Sequence, residues 1–454
     1  MPETVVEQEL SNHRFDQVQH ALNSGMFVHV RQMLMDMPAC DAALLLESTP
    51  PKNRQIIWQL VDPDDQGDIL EELSDDVQKS ILKQMPAHEL AAAAEGMDTD
   101  DITDVLRSLP DSVYQKVLNA MDEQDRHRVE AAMAYEEDTA GSIMNTDTVT
   151  LRPDVNLDVV LRYLRLKGEL PEATDMLYVV NKDDKLLGGV PLATLITTSP
   201  SMTVSQVMDR TIEAIPAELE DTEVAKQFER HDWLSAPVVD NTGKLLGRIT
   251  IDDVVDIIRE DAEHSMMSLA GLDDEEDTFA PVMKSTYKRS LWLGINLLTA
   301  LAAVSVSALF EPILAQMAIL AILNSIVPSM GGIAGNQTLT LIIRGMALGH
   351  IGDRNKRWLI GKELAIGVLN GLIWAVILSV VVAWWQQDLK LGMVIAFAMV
   401  ANMTAAGLAG ALIPLTMKKI NIDPALAGGV VLTTITDVVG IFAFLGTATL
   451  AYAN

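Results

Sequence analysis

Five apolar segments crowd the C-terminal part of this 454-residue chain, roughly Ser290–Phe310, Ile313–Ile343, Glu363–Trp385, Gly392–Met417 and Ala425–Leu450. Each is about the ~20 residues that an α-helix needs to cross a hydrocarbon core. With no water to satisfy N–H and C=O groups inside a bilayer, such segments are restricted to helices or closed barrels, and the uninterrupted apolar runs predict helices. Basic residues set the orientation. Lys284, Lys288 and Arg289 precede the first segment, Arg344, Arg354, Lys356, Arg357 and Lys362 lie between the second and third, and Lys418 and Lys419 between the fourth and fifth. The alternate loops hold only Lys390. The excess of Lys and Arg on one side predicts a multi-pass protein of the plasma (inner) membrane, with its N-terminal part in the cytoplasm and Asn454 outside.

The charge is divided as sharply as the hydropathy. Residues 281–454 hold 6 acidic and 11 basic residues, so the first 280 carry a net −35 of the chain's −30. That acidity argues against binding nucleic acid or an anionic lipid surface, and it concentrates cations. Cys40 is the only cysteine, which excludes an intrachain disulfide or a zinc knuckle. Met1 to Leu10 has neither the basic nor the apolar region of a secretory signal, so insertion is expected to follow from the later segments. The absence of a nucleophile–base pair, phosphate loop or zinc spacing argues against an enzyme.

Asp437 is the one charged residue of the 26-residue stretch Ala425–Leu450. An ionised carboxylate at bilayer depth is costly unless it meets water, a cation or a partner charge, which makes it a candidate for an ion pathway. Thr433, Thr434 and Thr436 add hydroxyl oxygens, and hard cations are bound through oxygen. The second segment carries Pro328, Gly331, Gly332, Gly335, Asn336 and Gln337. This run predicts a break near its middle, where freed carbonyls and the Asn336 and Gln337 amides line a cavity; the alternative is a proline kink with glycines permitting close helix packing. Asn402, Gly407 and Gly410 in the fourth segment read as packing. Asp423 and Pro424 read as the N-cap and first turn of the last helix.

The cytoplasmic part divides in two. From about Phe15 to Met133, apolar residues recur every three or four positions in short amphipathic helices from Asp41–Glu47 to Glu123–Met133, with capping residues such as Ser74, Asp75 and Asp122. This pattern predicts an all-α superhelical domain. From Gly141 an alternation of strands and helices occurs twice, the second copy ending in Gly247, Thr250 and Asp253. The duplication resembles a tandem pair of CBS domains, a nucleotide-sensing module; there an adenine nucleotide such as ATP would meet Thr250 and Asp253, whereas the first copy has Pro191 and Thr194 in the equivalent places. Asp253, Asp256, Glu260 and Asp261 then follow near one helical face, where a divalent cation would relieve their repulsion. The alternative is a solvated acidic face. The acidic run Asp273 to Asp277 reads as linker.

Taken together, the helical N-domain, the CBS pair, a connecting helix, the Pro328 to Gln337 motif, Asp423-Pro424-Ala425 and Thr433-Thr434-x-Thr436-Asp437-x-x-Gly440 resemble the MgtE family of magnesium transporters over nearly the whole chain. The resemblance implies residues 1–137 as the N-domain, 138–258 as the CBS pair (138–200 and 201–258), 259–285 as a connecting or plug helix and 286–454 as a five-helix membrane domain. It implies a homodimeric Mg2+ channel in the lipid bilayer. Its pore would be lined by Asp437, Thr433, Thr436, Asn336, Gln337 and Gly332. Cytosolic Mg2+ bound at Asp232, Asp253, Asp256, Asp261 and Asp423 would close it. Ile333 stands where the family often has an Asn, and His264 and Ser265 where a typical plug helix has acids. The alternatives are a secondary transporter of divalent cations such as Co2+ or Mn2+, and a membrane-anchored sensor without transport.

Overall fold

The computed structural model describes residues 14–452 apart from 95, 96, 98, 108, 110, 120, 122, 169, 172, 273–276, 353 and 421. Asp122, residues 273–276 and the first ten residues, all read above, lie outside the described residues. The chain forms two compact units: Met1–Glu263 with Glu275–Pro281, and His264–Asp274 with Val282–Asn454.

The first unit begins with short helices, from residues 14–23 to Glu123–Ala132, whose apolar stripes meet in one core around Val18, Leu45, Leu46, Ile57, Leu70, Leu90, Leu106 and Val117. The helices expected from Asp41 onward form within three residues of their predicted ends. Phe27–Met35 falls within the stretch expected to be helical from about Phe15, but its own bounds are not delimited by the sequence. It lacks a side-chain N-cap and leaves Phe27, Val28 and Met35 exposed, so neither its start nor its inner face is marked in the sequence.

Two three-stranded sheets follow. β1 (Thr150–Leu151) runs parallel to β2 (Met176–Val180), which pairs antiparallel with β3 (Leu186–Pro191). The second copy repeats this order with β4 (Ile215–Pro216), β5 (Ser235–Val239) and β6 (Leu245–Thr250). α1 (Leu157–Lys167) and α2 (Asp221–His231) cover them, and α3 (Ile251–Leu269) continues directly from β6. Tyr178 and Ser235 join the copies through a buried hydroxyl–hydroxyl hydrogen bond of 3.0 Å.

Among the described residues, the second unit contains five helices long and apolar enough to span a membrane. These are α4 (Val282–Ala308), a segment Ala318–Ala347 ending in α5 (Ile326–Ala347), α6 (Lys356–Gln386), α7 (Leu389–Lys419) and α8 (Pro424–Tyr452). α6 and α7 form an antiparallel hairpin with glycines at its contacts. A Cβ on Gly407 would stand 2.8 Å from Glu363 O, on Gly367 2.7 Å from Met403 O, on Gly371 3.0 Å from Val400 Cα and on Gly392 2.9 Å from Ser379 O. Such approach of backbones is the usual role of small residues between membrane helices.

The expected break in the second segment is displaced. The helix Ala318–Leu323 ends before Ser325, and Pro328 to Gln337 is continuous α-helix within α5. Pro328 is the third residue of that helix, where a backbone N–H has no intrahelical acceptor, so proline removes no bond there. The glycines serve close packing, as the alternative reading had it.

Candidate ion pathway

α5 and α8 lie antiparallel, and their glycines fix the register. Gly440 faces Pro328, Gly332 faces Thr436, Gly335 faces Leu432 and Gly428 faces Leu339. Along this seam Thr433 is level with Gly335, and Asp437 with Gly331. Asn336 falls near Leu432, about five residues or roughly 7.5 Å along the axis from Asp437.

The expected pathway residues are therefore not equivalent. Asn336 and Gln337 are exposed on α5, Thr433 is exposed on α8, and Asp437 is half-buried. Thr436 is fully buried against the seam, 3.8 Å from the position of a Cβ on Gly332. Its hydroxyl donates to Thr433 O, that of Thr433 to Gly429 O and that of Thr434 to Val430 O. Each threonine is thus back-bonded to its own helix, with its oxygen lone pairs left to act as acceptors. Asp437 makes no hydrogen bond or ion pair among the described residues. Ile333, 58% exposed, sits between the levels of Asp437 and Asn336 and puts an apolar side chain where an amide would offer oxygen.

Asn402, read in the sequence as packing, is a polar node. It is completely buried, and its Nδ2 donates to Val327 O at 2.7 Å. A Cβ on Gly331 would come within 2.1 Å of that nitrogen, and one on Gly440 within 3.0 Å. Asn402 thereby fastens α7 to the start of α5 and the middle of α8. The signal was present in the sequence: a lone amide among small residues, matched by glycines on two other segments.

Three of the five candidate regulatory carboxylates, Asp423, Asp232 and Asp253, have a local task. Asp423 caps α8, accepting from Ala425 N at 2.9 Å and Leu426 N at 3.2 Å. His264 Nε2 lies 3.4 Å from Asp423 Oδ2, so a basic group occupies the place where an acid was expected. Asp232 is the left-handed residue that ends α2. Asp253 Oδ2 accepts from both the backbone N–H and the hydroxyl of Thr250, each at 2.9 Å, which caps the start of α3. Burial pushes the Asp256 carboxyl above its ordinary range, with Arg259 opposing and Asp252 reinforcing. Burial likewise raises Asp221, where a hydrogen bond from Thr222 opposes and Asp138, Asp261 and Glu220 reinforce. No three His, Cys, Asp or Glu residues among the described ones converge as a metal cage.

Thr250 and Asp253 are the nucleotide candidates, and their polar groups are engaged with each other. A cavity of about 240 Å³ is lined by Leu186, Gly188, Arg210 and Ile212 and by neither candidate. Thr250 and Asp253 thus cap α3 and stand apart from the lining of that cavity.

Comparison with known proteins agrees along the chain. The MgtE family model, described as a divalent cation transporter, matches residues 324–447, the MgtE intracellular N domain matches 37–138, and the CBS domain matches 140–199 and 190–260. The magnesium transporter MgtE of Enterococcus faecalis is 31% identical over 422 residues, 92% of this chain and 93% of that protein. The magnesium transporter MgtE of Bacillus subtilis is 29% identical over 430 residues, 94% and 95% of the two chains. The crystal structure of the cytosolic domain of the Mg2+ channel MgtE in complex with ATP is 29% identical, with a TM-score of 0.50 over 54% of this chain and 99% of that one. With the N-domain, CBS and transporter models matched in order and a 31% identical relative matched over 92% of this chain, the protein, with its five apolar helices among the described residues, is a multi-pass membrane protein of the MgtE family of divalent cation transporters.

Proposed function

We propose that this protein is a Mg2+ channel that admits magnesium to the cytoplasm and is closed by cytosolic Mg2+. The observation that carries the reading is Asp437, the sole acid of α8, level with the Gly331 turn of α5 and without an ion pair or hydrogen bond among the described residues. Mg2+ sheds water reluctantly and is usually held through one or two carboxylates with several waters retained. A carboxylate with the exposed Thr433 oxygen one turn away, the amides of Asn336 and Gln337 farther along and Gly332 letting α8 approach closely at the enclosed Thr436, suits a hydrated ion. In a homodimer each subunit would add one Asp437.

The acidic cytoplasmic part supplies the closing signal. Burial holds Asp221 above the ordinary carboxyl range and the neighbouring acids Asp138, Asp261 and Glu220 reinforce it, so a divalent cation bound at Asp261 would relieve a repulsion already present. Asp232, Asp253, Asp256, Asp261 and Asp423 are the proposed ligands, each supplying few oxygens and leaving waters on the ion. The positive-inside distribution supports a cytoplasmic N-terminus and insertion in the inner membrane.

The test is Mg2+ flux into liposomes holding the full chain, compared with Asp437→Ala and Asp437→Asn. Both variants are expected to fold and to lose flux. Undiminished Mg2+ flux in Asp437→Ala overturns the reading.

A further inference from the structure

α5 is poorly equipped to hold its own rotation. Its segment from Gly331 to Gly335 contains three glycines, each weakening a helix interior by about 1 kcal/mol relative to alanine and offering no side chain to interlock. Yet a turn of one residue, 100°, would carry Asn336 and Gln337 away from the pathway surface. Something outside the helix must set its angle. Among the described residues, two buried side chains from other helices bracket this stretch. Asn402 donates to Val327 O at its beginning, and Glu363 accepts from Thr338 Oγ1 at its end.

Glu363 is the less expected of the two. The sequence reading placed it at the edge of the third span, next to Lys362, yet it is only 2% exposed. Its Oε2 lies 3.1 Å from the hydroxyl of Thr338, itself 6% exposed. Its Oε1 lies 3.1 Å from Lys362 Nζ, within ion-pair range but off the hydrogen-bonding direction. A buried carboxylate in a membrane segment is functional by default, because hydrocarbon side chains would fill the same space at lower cost. The small residues of α7 make the meeting possible. A Cβ on Gly407 would clash with Glu363 O, and one on Gly410 would stand 2.6 Å from Gly335 O and 2.9 Å from Thr338 Cβ. α6 and α5 therefore both settle against one short stretch of α7, which lets Thr338 reach the carboxylate.

We propose that Glu363 is a positioning residue of the ion pathway: through its hydrogen bond with Thr338 it fixes the rotation of α5 and thereby the placement of Asn336 and Gln337 relative to Asp437. The proposal rests on the pathway proposed above. What Thr338 requires from residue 363 is an acceptor oxygen, which a glutamine also provides.

The experiment measures the Mg2+ concentration dependence of flux in liposomes for the full chain and for Glu363→Leu, Glu363→Gln, Thr338→Val, Thr338→Ser and the pair Glu363→Leu with Thr338→Val. Asp437→Ala serves as reference. Loss of a buried hydrogen bond of this kind predicts that Glu363→Leu and Thr338→Val each raise the half-saturating Mg2+ by about tenfold. The double variant should be no worse than the poorer single one, since both remove the same contact. Glu363→Gln and Thr338→Ser should stay within about twofold of the parent, because each keeps the bond. A wild-type concentration dependence in Thr338→Val, an additive double variant, or Glu363→Gln as impaired as Glu363→Leu overturns the proposal. Should Glu363→Leu fail to fold, the Thr338→Val and Thr338→Ser comparison decides alone. Wild-type flux in Asp437→Ala overturns the pathway itself. A dead Asp437→Ala beside a normal Thr338→Val overturns only the role given to Glu363.

Discussion

Arg54 and Asp277 form an ion pair of 2.9 Å between positions 223 residues apart, and their side chains are only 2% and 9% exposed. Arg54 Nε also donates to Leu46 O at 2.9 Å, while the Asp277 N–H donates to Asp76. The segment that follows the connecting helix is thereby fastened to the N-domain by a desolvated charge pair. Removing one member of such a pair leaves the other buried without compensation, at a cost of about 3–5 kcal/mol. Arg54→Met is expected to lower the thermal unfolding temperature of the detergent-solubilised chain and to expose residues 277–281 to protease. An unchanged melting temperature would contradict the pair's contribution.

Gly331 leaves room for Asn402 alone. With a Cβ only 2.1 Å from Asn402 Nδ2, Gly331→Ala must displace the amide from Val327 O or separate α5 from α7. The expected loss is about 2 kcal/mol or more, combining overpacking with an unsatisfied buried amide. Asn402→Ala should recover part of it when combined with Gly331→Ala, by removing the clash. Thermal unfolding of the two single variants and the double variant gives the coupling directly.

His264 and Asp423 are arranged as a direct basic–acidic contact, 3.4 Å apart. Exchanging His264→Glu with Ser265→Asp would set a carboxylate facing Asp423 and a second one beside it on the helix, an arrangement that a shared cation would stabilise. Ligands that act only in the closed state shift the equilibrium towards closure. The Mg2+ concentration that half-closes the channel in patch-clamp titration is expected to fall, and an unchanged or higher value would show that this contact has no part in closing.

Tyr178 makes the stability of the CBS pair sensitive to alkali. Burial pushes its hydroxyl from 10.0 up to about 12, partly offset by the hydrogen bond with Ser235. The folded state therefore holds this proton more tightly than the unfolded one. The contribution is complete below pH 10.0 and is lost as the pH rises towards about 12, amounting to roughly 2 kcal/mol. Tyr178→Phe should flatten that part of the pH–stability curve, which chemical denaturation at stepped pH would reveal.

The architecture was legible because its signals are long. Apolar runs exceeding twenty residues, a duplicated strand–helix pattern and helical periodicity in the N-domain each average over many positions, and local exceptions do not erase them. The interior of the membrane unit was harder to read. Pro328 reads as a break in the sequence, but the helix begins at Ile326 and so places this proline in its first turn, a start that no local signal marks. Glu363 stands beside Lys362 and so looks like an interfacial charge; only the close approach permitted by Gly407 encloses it. Asn402 was assigned to packing with its small neighbours, although an amide in hydrocarbon needs a partner. The threonines near Asp437 share one composition but have different surroundings, since only the register with α5 decides that Thr436 is enclosed and Thr433 open.

The α6–α7 hairpin has a mechanical consequence. Its glycines are shared between the two helices, Gly407 and Gly392 on one and Gly367 and Gly371 on the other, and each meets backbone of its neighbour. Sliding the pair by a single residue, about 1.5 Å, would drive a side chain into a space that only a hydrogen atom fills. The hairpin is a rack with all its teeth engaged, stiff against shear along its length. Any rearrangement of this membrane unit must carry α6 and α7 as one block, and the compliance has to reside in the helices around them.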